Sequence, residues 1–77
     1  MIHWTPHPKG NDSLHVAEAA GYTMQAWESG EWLIAKGRTV ITSWKYQVKA
    51  ENLRAAQLRA QAALLSILTP GEIKSLN

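Results

Sequence analysis

The hydrophobic and polar positions change their spacing twice along the chain. Residues 1–13 hold Pro6, Pro8, Gly10 and the cluster Asn11, Asp12, Ser13. Each proline bars the residue before it from helix, so this stretch reads as an extended arm. Residues 14–20 alternate weakly and stop at Gly21, which fits a short strand or one helical turn; a strand is the expectation. Residues 22–28 and 31–36 are short runs rich in aromatic and aliphatic side chains, joined by Ser29-Gly30, and residues 38–44 return after Gly37. That pattern predicts an antiparallel meander within residues 14–46. With Ser29 and Gly30 as a two-residue loop, Glu28 pairs with Glu31, Trp27 with Trp32, Ala26 with Leu33 and Gln25 with Ile34. A turn at Lys36-Gly37 then pairs Leu33 with Val40 and Trp32 with Ile41.

Residues 47–69 contain neither glycine nor proline and are dense in alanine and leucine, and Pro70-Gly71 closes them. A long helix is predicted there, followed by a tail over residues 70–77. At about 100° per residue, Leu53, Ala56, Ala60, Ala63, Leu64, Ile67 and Leu68 fall in one arc about 140° wide, the face expected to pack on the sheet. Leu58, Ala62 and Leu65 fall on the opposite side beside Arg54 and Glu51, where water is expected. The fold class is therefore α+β: a three- to four-stranded antiparallel sheet packed against one long C-terminal helix, as a single domain.

The predicted register puts Trp27, Trp32, Ile34 and Ile41 on one sheet face, and Met24, Ala26, Leu33, Ala35, Val40 and Trp44 on the other. Bulky indoles interlock well with an alanine-rich helix, so the Trp27/Trp32 face is assigned to the core, although the two assignments can be exchanged. The Met24/Leu33/Val40 face then needs a cover: the arm with Trp4, a second copy of the chain, or a partner protein. A homodimer is expected, through that face or through the helical stripe of Leu58 and Leu65 with Ala62 between them.

Composition narrows the class. At 45% hydrophobic and 18% charged residues the chain is globular rather than disordered. No cysteine is present, which removes disulfides and thiolate metal sites and fits a reducing compartment. There is no signal-peptide pattern and no apolar run of membrane-spanning length, so a cytoplasmic protein without a membrane partner is expected.

Catalytic parts are missing. No glycine-framed elbow surrounds Ser13, Ser29, Ser43, Ser66 or Ser75, the glycines stand singly rather than in a phosphate-binding loop, and Glu28 and Glu31 belong to a solvated hairpin tip. The chain is read as no enzyme. His3, His7 and His15 with Asp12 suit zinc or nickel by donor type, but Pro6 and Pro8 forbid the helix that would bring His3 and His7 together, so no metal and no cofactor is expected.

Charge order is more telling than the net +2. Residues 11–34 carry Asp12, Glu18, Glu28 and Glu31 with no basic residue, whereas residues 35–60 carry Lys36, Arg38, Lys45, Lys49, Arg54 and Arg59 against Glu51 alone. Trp44 and Tyr46 lie among those cations. Such a stretch is either a solvated, edge-protecting surface or a surface that meets phosphate and bases.

Trp27 with the Ser29-Gly30 turn, the run Glu31-Trp32-Leu33-Ile34-Ala35, the Gly37 turn, and the run from Ala50 through Leu53 and Ala56 to Leu64 resemble small phage-encoded proteins with a β-meander and one alanine-rich helix, anti-CRISPR proteins among them. The resemblance covers about 50 residues from Tyr22 onward, and no functional residue carries over with it. It implies a small basic viral inhibitor in the host cytoplasm that binds a CRISPR surveillance complex, such as a type I effector, and keeps it from target DNA. Members that imitate DNA are acidic; this chain is basic, which favours a plug over a mimic. The alternative is a small DNA- or RNA-binding regulator using residues 36–59. The partner-binding residues expected are Arg38, Trp44, Lys45, Lys49, Arg54 and Arg59.

Overall fold

The structure is a computed structural model that describes residues 2–7 and 13–76. Pro8, Gly10, Asn11 and the candidate metal ligand Asp12 lie outside the described residues, as does Asn77 at the end of the tail. Five strands and two helices are present among the described residues: β1 (Thr5–Pro6), β2 (Leu14–Ala19), β3 (Tyr22–Trp27), β4 (Trp32–Lys36), β5 (Thr39–Ser43), α1 (Leu53–Ile67) and α2 (Pro70–Lys74). The strands form one antiparallel sheet in chain order, β1 to β5, and α1 lies across β3 and β4. The fold is α+β, with an antiparallel meander and a helix on one face.

Two details of the predicted architecture need correction. The sheet has five strands, not three or four, because the arm doubles back and pairs Thr5 with Val16 and Pro6 with His15. The helix is 15 residues, not a long element filling residues 47–69. It starts late because the backbone before it is committed elsewhere. The Val48 carbonyl accepts the Trp32 indole N–H at 2.9 Å, and the Ala50 amide donates to the Gly30 carbonyl at 2.9 Å. Asn52 then caps the helix, its side chain accepting from the Ala55 amide at 2.9 Å.

The first hairpin register is also corrected, by one residue. Ala26 pairs with Trp32, Gln25 with Leu33 and Met24 with Ile34, so the loop is Glu28, Ser29 and Gly30. The order of the loop residues explains the change. A two-residue turn with glycine second asks Ser29 for positive φ, which its side chain resists. The three-residue loop puts positive φ on Gly30 alone (φ 95), after a turn closed by the Gly30 amide on the Trp27 carbonyl at 2.9 Å. In the next hairpin Lys36 pairs with Thr39, leaving Gly37 (φ 62) first in a two-residue turn, the position where a type II′ turn needs it. Ala35 pairs with Val40 and Leu33 with Ser43, with a bulge between, rather than Leu33 with Val40.

A one-residue slip exchanges the faces of a strand, and here it moves Trp27 and Met24. Trp32, Met24, Ala26 and Ile34 have no exposed surface and join Ala17, Ala50, Ala56, Ala60, Ala63, Leu64 and Leu68 in the core beneath α1. Trp27 lies on the other face, paired with Leu14 and half-buried, so it is neither a cross-strand neighbour of Trp32 nor a helix contact. The helix arc packs as its spacing predicts, with Leu53 and Ile67 at its margins and Gln57 added to it.

Candidate interaction surface

Beyond the core, two parts of the open sheet face carry recesses. The first, ≈ 480 Å³, is lined by His3, Thr5, His7, Glu18, Thr23 and Gln25 at the β1 side. Two imidazoles and a carboxylate meet there, yet no group of three or more His, Cys, Asp or Glu residues able to hold a metal exists among the described residues. His15 is elsewhere: it pairs with Ala26 on the helix side, and its buried Nδ1 has no hydrogen-bond partner.

The second recess, ≈ 260 Å³, is lined by Leu33, Val40, Ser43, Trp44, Lys45 and Tyr46. Its floor comes from β4 and β5, and its wall from the turn after β5. That turn is built locally: the Ser43 carbonyl accepts the Tyr46 amide at 3.1 Å, and the Ser43 hydroxyl accepts the Lys45 amide at 3.2 Å. Tyr46 is 80% exposed and Val40 53%. Trp44 is half-buried against the core, its amide extending the ladder to the Trp32 carbonyl at 3.0 Å.

The basic residues singled out from sequence do not all meet here. Arg38 is exposed in the β4–β5 turn, and Lys45 and Lys49 are exposed in the segment after β5, so cations stand at both ends of β5. Arg54 and Arg59 are exposed on α1, on the opposite side of the sheet from the recess. Lys36 turns to the helix side, where its Nζ stands 5.1 Å from the centre of the Tyr22 ring.

Of the apolar residues expected to drive self-association, Met24 must be withdrawn, because it is wholly inside the core. Leu33 and Val40 remain on the open face, and Leu58 and Leu65 remain exposed on α1. The arm is not the cover for the open face at β4 and β5. Trp4 goes to the helix side, its Nε1 donating to Gln61 Oε1 at 2.6 Å. Sequence reasoning saw Trp4 as available but had no signal for a partner 57 positions away.

No helix among the described residues is long and apolar enough to cross a membrane. No family model, no curated protein and no solved structure matches the chain. Its function has to be read from its own surface.

Proposed function

We propose that this chain is a small inhibitory binding protein of the anti-CRISPR kind, which covers part of a host CRISPR surveillance complex and keeps it from target DNA. The observation that supports this reading is the uncovered β4–β5 region of the open face. Leu33, Val40, Trp44 and Tyr46 line a recess there together with Lys45, while Arg38 is exposed in the β4–β5 turn and Lys49 in the segment after β5. A small sheet protein that leaves an apolar recess with exposed cations on the neighbouring segments is suited to binding rather than to catalysis. The partner it suits is macromolecular and carries negative charge beside apolar groups.

The test is direct. Added in excess to a purified type I surveillance complex, the chain is expected to abolish the mobility shift of labelled target DNA. Reversing Arg38, Lys45 and Lys49 to glutamate is expected to restore the shift. An undiminished shift with the unmodified chain overturns the reading.

One observation favours a second reading, a small nucleic-acid-binding regulator. Tyr46, 80% exposed, and Trp44 line a recess together with Lys45, a combination of aromatic and cationic side chains of the kind that binds single-stranded nucleic acid. Binding of the free chain to random DNA with a steep negative salt dependence selects this reading, since it reports counterions released from phosphates.

A further inference from the structure

The two edges of the sheet are built differently. β1 is only two residues long and contains Pro6, which has no N–H to offer, so this edge cannot extend the ladder far. β5 runs for five residues, Thr-Val-Ile-Thr-Ser, with no charge and no proline, and it pairs only with β4. In an antiparallel ladder, alternate residues of an edge strand turn their N–H and C=O groups outward. Among the described residues no backbone hydrogen bond from outside the sheet reaches residues 39–42. Val40 and Ile41, both β-branched, are exposed on this edge. The recess of Leu33, Val40, Trp44 and Tyr46 opens beside it.

Resting on the reading of the chain as a binding protein, we infer that β5 is its docking element: it accepts an extended segment of the partner protein as a sixth strand. Main-chain hydrogen bonds supply the attachment in such an addition, and a recess beside the edge selects an alternate side chain. The chemistry of that segment follows from the surroundings. Residues 37–50 carry Arg38, Lys45 and Lys49 and no acidic residue, with Arg38 beyond one end of β5 and Lys45 and Lys49 beyond the other. The fitting segment is therefore short, alternating in apolar residues, and flanked by Asp or Glu on both sides. The same charges disfavour a second copy. Antiparallel pairing of β5 with itself about Ile41 brings Arg38 of each chain toward the Trp44–Lys45 end of the other, cation against cation.

The probe is a fluorescent peptide, acetyl-Asp-Glu-Val-Thr-Leu-Thr-Val-Glu-Asp-amide, compared with the same core flanked by lysines and with a single-stranded thymidine oligonucleotide. The acidic peptide is expected to bind at least tenfold more tightly than the lysine peptide by fluorescence anisotropy. Its largest amide shift changes are expected within Thr39–Ser43 and at Trp44. Methylating one alternate set of peptide amide nitrogens is expected to abolish binding, while methylating the other set spares it, because only one set faces the edge. Val40→Glu, at an exposed position, and separately the pair Arg38→Glu with Lys45→Glu, are each expected to weaken binding at least tenfold at unchanged thermal stability.

Equal binding of both peptides, indifference to both methylation patterns, tighter binding of the oligonucleotide at the same residues, or dimerisation through β5 each overturns the inference. Its fate is separable from that of the anti-CRISPR reading. A chain that inhibits the surveillance complex as well with Val40→Glu as without it, and binds no peptide, loses the strand addition alone. A chain that binds the acidic peptide at β5 and leaves the complex active loses only the anti-CRISPR reading.

Discussion

Trp27 and Trp32 stand five positions apart in one hairpin, and the two faces of the sheet treat them oppositely. Trp32 is wholly buried beneath α1, its indole N–H bonded to the Val48 carbonyl. Trp27 is half-buried on the open face beside Leu14. The helix-side face is closed by alanines that let α1 come close, whereas on the open face Leu33 and Val40 line a recess. Large apolar side chains are therefore buried under the helix on one face and left partly solvated on the other, and the division depends on a single loop residue.

The largest expected effect tests that division directly. Trp32→Ala is expected to cost about 3 to 5 kcal/mol, a large part of a small domain's total stability. It also leaves the Val48 carbonyl without its donor. Trp27→Ala, on a partly solvated face, is expected to cost less than about half as much. Urea unfolding of both variants measures the difference, and equal costs erase the distinction between the faces.

Next in size is Gly30. A Cβ built there lies 1.8 Å from the Ala50 carbonyl oxygen, a backbone atom that cannot step aside, and the φ of 95 adds strain. Gly37 also has positive φ, but nothing lies within 4 Å of its Cβ position. Gly37→Ala is expected to cost about 1 kcal/mol from backbone conformation alone, and Gly30→Ala at least twice that. Similar midpoints in thermal melts would mean that the contact between the hairpin loop and the segment before α1 yields easily.

How much of this was legible in the sequence can be traced residue by residue. The apolar runs separated by Gly21, Ser29-Gly30 and Gly37 place the four strands β2 to β5, and the spacing from Leu53 to Leu68 places the buried side of the helix. The register was missed because Ser29-Gly30 was read as a two-residue turn; the glycine-second order already argued for a longer loop. The helix start was missed because absence of glycine and proline was read as presence of helix. Asn52 three residues before Ala55 carried the cap signal, while the bonds that hold Val48 and Ala50 back join residues far apart in sequence. The cations around β5 were visible in charge order, but the bare edge between them appears only once the strand order is known.

A smaller effect sharpens the account of the sheet in the opposite direction, toward stability. Ala20 and Gly21 form a two-residue turn with φ of 53 and 84, and positive φ is strained for alanine. Ala20→Asn is expected to stabilise the chain by about 0.5 to 1 kcal/mol, since asparagine tolerates this conformation best among non-glycine residues. A shift of the urea midpoint to lower concentration would mean that strain at Ala20 is not what limits the β2–β3 hairpin.

The smallest effect lies off both faces, in α2, and serves as a control on whether the chain responds to pH as a whole or locally. Thr69 caps α2 by accepting from the Glu72 amide, while the Glu72 carboxylate accepts from the Thr69 amide at 2.9 Å. The backbone and side-chain hydrogen bonds with Thr69, in that order, hold the Glu72 carboxyl below its ordinary value of 4.5, with a lesser contribution from the charge of Lys36. A carboxyl lowered in the folded state stabilises that state above its unfolded pKa, and the contribution disappears as pH falls through the lowered folded value. The loss is therefore confined to the acid side of about pH 4.5 and affects a helix of five residues, none of them buried. Amide shifts of residues 69–75 are expected to move in that window while those of the Trp32 core stay fixed. Glu72→Gln keeps an acceptor for the Thr69 amide but cannot titrate, so it should retain the cap and lose the pH response; core shifts moving with α2 would mean that this terminal turn is coupled to the packed face of the sheet.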